Sequence, residues 1–474
     1  MPTLALPELL VLATALLVLV ADLFVDDTGR KRLLPIALVG VVGALVALVA
    51  LVPDSGELLG GRFAMDPLGW WFKLALLVAA AGVLCLAQPA WQGQGTVDAT
   101  LPNRGEFLAI LLFNLAGMLL VPSARDAVTF YLALETATMP LFLLVAWRRD
   151  AVGAEAALKY FVVGALASAL LLYGLGWLYG LTGTLDLALM AARLPTTPAA
   201  YLAMGLVLGG LGFKLTLAPL HTWAPQVYTG APLPVAAWLG TASKAAAVAA
   251  LAVVLYRVAG PHAAAWTPAV ALLAALTMTV GNLGAVVQTN VLRLLAFSAV
   301  SQAGYLLVGL CGATRDGAAA VTYYLVVYVV TNLGAFAAAA VVHHHTGSQE
   351  LSAFRGLSRR HPLLALAMML ALFGLAGIPP LGGFTGKFLL FSVAAQAELH
   401  WLVAVAAVNS TVSLYYYLRI VRQMYIEPAD AAAPQTPTAF LPGVALAVAT
   451  VGGVVLGVVP WFYETVRVAA ARWP

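Results

Sequence analysis

The chain has 474 residues, 62% of them hydrophobic and only 9% charged, with a formal net charge of +4; an ordinary soluble domain carries roughly 25% charged residues. That composition excludes a water-soluble fold of this size, because no polar shell could cover so much apolar surface. Apolar runs of about 20 residues, the length that crosses a hydrocarbon core, recur from one terminus to the other.

In chain order the runs predict about 14 spans, at 4–24, 33–52, 67–88, 106–121, 126–147, 156–182, 198–220, 231–257, 264–288, 293–312, 318–342, 362–396, 402–425 and 437–460. Most are apolar around the whole circumference, as befits helices in lipid or among other helices. The expected fold is therefore an all-α polytopic membrane protein. The first run, Leu4 to Phe24, lacks a basic start and an A-x-A-like cleavage site, so it reads as a span and not as a signal peptide.

Asp66 and Lys73, seven residues apart near the start of the third span, suit anchoring at the membrane interface. Cys85 and Cys311 sit inside apolar runs and read as packing residues; two cysteines cannot supply the four thiolates of an iron–sulfur cluster. In the fifth span, Glu135 is the single carboxylate near the middle of an apolar run. Lys159 follows Glu155 by four residues at the start of the sixth, the spacing of a helix-end ion pair.

The seventh span reads Gly212-Phe213-Lys214-Leu215-Thr216-Leu217-Ala218-Pro219, and the twelfth reads Gly377-Ile378-Pro379-Pro380-Leu381-Gly382-Gly383-Phe384-Thr385-Gly386-Lys387. Proline removes a backbone donor and glycine lets the chain leave helical geometry, so both helices are expected to break within the membrane. Irregular backbone at that depth is tolerated only inside protein or beside a watery cavity. Paired interruptions point to an internal repeat with a site at its core. The predicted organisation is an N-terminal three-helix segment (1–105), a first five-helix repeat (106–257), a second, inverted one (264–425) and a C-terminal span (426–474). His221, beside the first break, either passes protons or bonds freed carbonyls. His343, His344 and His345 read as a solvated loop, with metal binding the alternative. No dinucleotide or P-loop fingerprint occurs, so nicotinamide, flavin or nucleotide sites have no support in this chain.

The two basic residue types fall in opposite places. Lys73, Lys159, Lys214, Lys244 and Lys387 lie in or at the start of apolar spans, whereas the arginines lie almost entirely in connections or at span ends. Arginine cannot lose its proton in a protein, but a desolvated lysine can become neutral, which suits a group that must switch charge. Glu135 is the natural partner of Lys214. The pair reads either as a static ion pair that fixes helix packing or, with Lys244 and Lys387, as a chain of titrating groups.

Basic residues also set the orientation. Connections after odd-numbered spans hold Arg30, Lys31, Arg32, Arg104, Arg148, Arg149, Arg293, Arg355, Arg359, Arg360, Arg419 and Arg422, against Arg62, Arg125, Arg193, Arg257, Arg315, Arg467 and Arg472 on the other side. The bias predicts both termini outside the cytoplasm.

Four stretches resemble the antiporter-like membrane subunits of proton-pumping NADH-quinone oxidoreductase, respiratory complex I. They are Glu155-Ala156-Ala157-Leu158-Lys159-Tyr160-Phe161, His221-Thr222-Trp223-Ala224-Pro225 on to Ser243-Lys244, Asn332-Leu333-Gly334-Ala335-Phe336, and Leu375-Ala376-Gly377-Ile378-Pro379-Pro380 through Lys387. The resemblance implies a switching pair at Glu135 and Lys214, a central relay at Lys244 and a far half-channel group at Lys387, with Lys159 and His221 in support. Lys387 stands where subunit M is expected to have glutamate, and the chain ends without the long lateral helix expected of subunit L. Two positions depart from the family: Leu292 where lysine is usual and Gln302 where histidine is usual.

The same resemblance implies no cofactor in this chain, with NADH, FMN, iron–sulfur clusters and quinone in partner subunits. It implies neighbours such as subunit M and the small subunit K, a bacterial inner membrane, and no nucleic acid partner. The rival expectations are a subunit of a multi-subunit cation/proton antiporter and a purely structural membrane-arm subunit.

Overall fold

The computed structural model describes residues 2–26, 29–51, 55–92, 101–428 and 439–473. The expected end of the second span at residue 52 lies outside the described residues. Among them, thirteen helical segments are long and apolar enough to cross a membrane. The twelfth expected span is a two-part helix, Pro362–Ala376 and Gly382–Gln396.

Span entries are set by local capping chemistry. Asp66, Asp126, Asp150, Asn290 and Thr314 each accept a bond from a backbone N–H in the first turn of the third, fifth, sixth, tenth and eleventh spans. Such bonds satisfy donors that a helix start leaves open. Gly183 and Gly347, both left-handed, end the sixth span (Ala151–Thr182) and the eleventh (Arg315–Thr346). The centre of the molecule is the eighth span (Leu233–Val258), 94% buried over its most apolar window, against 28% for the fourteenth (Phe440–Val458). The lysine-bearing eighth span is thus walled off from lipid by its neighbours.

Both expected breaks are present. The seventh span stops at Leu215 with Thr216 in the left-handed region (φ 63°), and a further helix, Ala224–Gly230, follows. The twelfth stops at Ala376 with Gly377 at φ 88°. Two more breaks were not expected. The fifth span divides into Ala127–Thr136 and Met139–Val145. The eighth divides at Thr241 (φ −124°, ψ −81°) and finishes in a π-turn, Val253–Val258.

Two charged clusters lie on the face that carries the N-terminus. A short hairpin, β1 (Gly56–Leu58) and β2 (Phe63–Met65), precedes the third span. Just after it, Asp66 Oδ2 accepts from Arg125 at 2.6 Å and from Arg257 at 2.5 Å. Burial, then the neighbouring Arg257 guanidinium, pushes Arg125 down to about 10, which still leaves it a cation at neutral pH.

Lys73 does not face solvent at that membrane face. It is fully buried, with its Nζ 2.5 Å from Glu8 Oε1 of the first span, 3.4 Å from Met65 Sδ and 4.8 Å from the Phe63 ring centroid. Removing one partner strands a buried charge, at a cost of ~3–5 kcal/mol, while replacing both by apolar side chains is often neutral. Glu8→Leu alone is therefore expected to lower the thermal stability of the purified protein sharply, and Glu8→Leu with Lys73→Met to restore it. A double variant no more stable than the single one would show that the pair holds more than itself.

His343–His345 occupy the last turn of the eleventh span, not a loop.

Candidate functional site

The site is assembled from helix ends. Pro140 has no N–H to bond Thr136 O, and Thr138 Oγ1 donates instead to Leu134 O at 2.6 Å, so the fifth span opens just past Glu135. Glu135 is 7% exposed and accepts from Ser168 Oγ at 2.7 Å. Lys214, in the last turn before the seventh-span break, places its Nζ 3.4 Å from Glu135 Oε1 and 2.5 Å from Thr138 Oγ1. The pairing expected from the sequence is therefore present, with a threonine at the same junction.

Lys244 reaches the same break from the eighth span. Its Nζ donates to Thr216 Oγ1 at 2.6 Å and to Leu215 O at 3.2 Å, and lies 5.7 Å from the Trp223 ring centroid. No carboxylate lies within ion-pair distance of Lys244 among the described residues; what holds it is the negative end of a half-helix. A small cavity of about 10 Å³, lined by Thr138, Tyr160, Lys214, Ser243, Ala246 and others, lies between Lys214 and the eighth span. That is about the space of one water molecule.

Lys387 repeats the arrangement at the second break. Its Nζ donates to Ala376 O at 3.1 Å and to Ser410 Oγ at 3.1 Å, and sits 4.2 Å from the Tyr305 ring centroid. Ser410 Oγ in turn donates to Tyr305 OH at 3.2 Å. Two amines thus cap the carbonyl ends of two discontinuous helices, an arrangement that stabilises the protonated form without fixing it by an anion.

Between Lys244 and Lys387 the protein is lined by neutral polar groups. Gly240 O, freed by the eighth-span break, accepts from Tyr328 OH and from Asn332 Nδ2, each at 2.7 Å. Tyr324 OH donates to Gln302 Oε1 at 2.5 Å, and Gln302 Nε2 donates to Leu375 O at 2.9 Å. Gln302 therefore holds a carbonyl at the edge of the second break. Trp223 Nε1, Tyr228 OH and Ser301 Oγ are buried without a protein partner, and buried polar groups are satisfied by protein or by water.

The structure gathers Glu135, Lys214 and Lys244 around one break, with Lys214 on Glu135 and Thr138 and Lys244 on Leu215 O and Thr216, and puts Lys387 at the other. It does not join Lys159, whose Nζ lies 2.5 Å from Glu155 Oε1 with both side chains substantially exposed. His221 is half-buried beside the first break with Nδ1 unpartnered. Leu292 is buried in the apolar wall. Thr138, Thr216, Tyr305 and Ser410, which touch the lysines, were missed; hydroxyls are common in helices, and only the proximity of Thr138 to Pro140 gave a signal. Among the described residues no group of three or more His, Cys, Asp or Glu side chains is placed to hold a metal ion.

Fourteen spans with buried lysines gathered at two broken helices define a membrane protein of the antiporter-like class. Residues 124–413 match the family described as NADH:quinone oxidoreductase/Mrp antiporter, transmembrane, and the chain belongs to that family. It is 40% identical to NADH-quinone oxidoreductase subunit N of Desulfovibrio desulfuricans over 97% of this chain and 94% of the relative. A chain of respiratory complex I from Thermus thermophilus with bound aureothin matches with a TM-score of 0.82 and 36% identity, covering 96% of this chain and 97% of that one. A chain of the Mrp complex from Dietzia sp. matches with a TM-score of 0.85 and 25% identity, covering 99% and 96%.

Proposed function

We propose that this chain is the proton-translocating subunit N of a bacterial NADH-quinone oxidoreductase, moving protons through Glu135, Lys214, Lys244 and Lys387. The observation that carries the reading is the pair of lysine amines seated on the free carbonyls of two broken helices, one of them at the same seventh-span break as the Glu135–Lys214 pair. When Glu135 lies against Lys214, the carboxylate neutralises that ammonium. When it withdraws, the Lys214 ammonium is left uncompensated at the same break as Lys244, and repulsion between the two in a low dielectric drives a proton onward. The neutral amine left behind is ready for another proton. Redox energy enters in partner subunits, where NADH, FMN, iron–sulfur clusters and quinone are held; this chain transfers only protons.

The five-span repeat is supported by matched details. The bridge Asp126↔Asp186 joins the start of the fifth span to the end of the sixth, and Asn290↔Glu350 does the same for the tenth and eleventh. The basic bias of the connections supports termini on the outer side of the plasma membrane. The neighbours in this reading are antiporter-like subunit M and small subunits such as K.

The test is the assembled complex carrying Lys244→Ala in liposomes. NADH-driven proton uptake is expected to fall by more than half relative to electron flow. Unchanged stoichiometry at unchanged turnover would remove Lys244 from the path. The second reading, a cation/proton antiporter subunit, is favoured by the family's inclusion of Mrp antiporters; sodium efflux by membranes that show no NADH-linked activity would select it.

A further inference from the structure

The first repeat contains a proton-accepting pair and a central lysine, but its route onward to the outer face looks closed. From Ala245 to Leu255 the eighth span carries no polar side chain, and every residue of that stretch is buried. Six of these residues are alanines. Such a collar offers water no side-chain hydrogen-bond partner, yet its small side chains leave little to oppose a transient single file of water. The first charged group beyond it is Arg257, roughly 20 Å past Lys244 at 1.5 Å per residue.

Arg257 is held in an unusual setting. Its guanidinium shares one carboxylate oxygen, Asp66 Oδ2, with Arg125, at 2.5 and 2.6 Å. It lies 5.0 Å from the ring centroid of Trp473, beyond the fourteenth span. Its Nε is buried without a partner, and Arg125 NH1 spends its bonds on Pro122 O and Ala124 O. Two guanidiniums against one buried carboxylate leave the buried cluster positive, with Glu57 on the exposed hairpin the further carboxylate that acts on Arg125, and arginine cannot discharge the excess. The other buried charges on this face, Lys73 and Glu8, are paired with each other and add none. Asp66 precedes the third span, Arg125 the fifth, and Arg257 ends the eighth, so span alternation places all three at one membrane face.

We propose that the Asp66–Arg125–Arg257 cluster is an electrostatic plug over the outer end of the eighth-span collar, so that protons reaching Lys244 leave only by way of Lys387. The inference rests on the proton-translocation reading above. A fixed cation at the mouth of an apolar file opposes a hydronium in either direction, as arginines do in water-selective pores. The same charge bars back-flow from the outer side, where protons accumulate during turnover.

The experiment uses the whole complex in liposomes, inhibited so that no electrons flow, with a potassium diffusion potential imposed and proton influx recorded. Arg257→Met is expected to raise the leak on the order of tenfold, the effect of losing a nearby unit charge at low effective dielectric. Arg257→Lys keeps the charge and is expected to stay tight. Asp66→Asn breaks both ion pairs but leaves the positive charge, and it too is expected to stay tight. Should Arg257→Met fail to assemble, Arg125→Met carries the same test from the connection before the fifth span. A tight Arg257→Met complex overturns the plug, and so does an Asp66→Asn complex that leaks as much as Arg257→Met, since that pattern belongs to a mechanical clamp. NADH-driven pumping by the Lys244→Ala complex is a separate measurement, so loss of the function reading is distinguishable from loss of the plug.

Discussion

Lys214→Arg in the assembled complex is expected to keep the fold and the Glu135 contact while cutting NADH-driven proton transfer by about tenfold, the consequence of ~1.4 kcal/mol or more added to the transfer barrier. The substitution isolates one property. Arginine keeps the positive charge at the end of the seventh-span half-helix, where Lys214 Nζ lies 3.4 Å from Glu135 Oε1, so a role limited to ion pairing survives. What it removes is the neutral state, because a guanidinium stays protonated at any depth. The comparison is the double variant Glu135→Leu, Lys214→Met, which replaces a buried pair by apolar bulk and is tolerated by the fold if the pair is only structural. Full pumping by Lys214→Arg, or by the double variant, would reduce Glu135 and Lys214 to a packing device. The readout is proton uptake per NADH oxidised in liposomes, with subunit content measured beside it.

The span pattern was legible because each crossing needs its own apolar run, and Pro and Gly mark the breaks in the seventh and twelfth helices directly. The breaks in the fifth and eighth were not. Pro140 lies in the first turn of the restarted helix Met139–Val145, a position where proline is tolerated. At Thr241 no proline occurs at all. The Gly240 carbonyl that the break leaves open is taken by Tyr328 and Asn332 from another span, and no local pattern announces partners so far along the chain. The same reason hid the burial of Lys73, whose carboxylate partner Glu8 belongs to the first span.

The site was legible in its charges and illegible in its supports. Selecting lysine over arginine at depth identified Lys214, Lys244 and Lys387, since the chemistry that distinguishes them is written in residue type. Thr216, Ser410 and Tyr305 acquire their importance only from which amine they meet. Gln302 shows the converse: it cannot titrate, so composition alone removes it from a proton chain. Its amide nevertheless spans Tyr324 OH and Leu375 O, which ties the centre of the eleventh span to the second broken helix.

That second break supplies the other large expected effect, for Gly383→Ala. A Cβ at residue 383 would sit 1.7 Å from Gly374 O and 2.7 Å from Gly374 C, both backbone atoms of the preceding half-helix. No rotamer change relieves a clash between a methyl group and backbone, so the two halves of the twelfth span must separate by more than an ångström. Overpacking of this kind costs ~1–3 kcal/mol or more where the neighbours cannot yield. The displaced turn also carries Ala376, whose carbonyl holds Lys387 Nζ at 3.1 Å, so proton transfer is expected to fall by a larger factor than the amount of assembled subunit. Gly209→Ala is the control, because nothing lies within 4 Å of its added Cβ. There alanine's better helix propensity, worth ~1 kcal/mol, is expected to leave stability unchanged or raised. Thermal inactivation of the purified complex and proton uptake per NADH separate the two consequences. Should Gly383→Ala assemble and pump like the parent, the close approach of the half-helices has no part in holding Lys387.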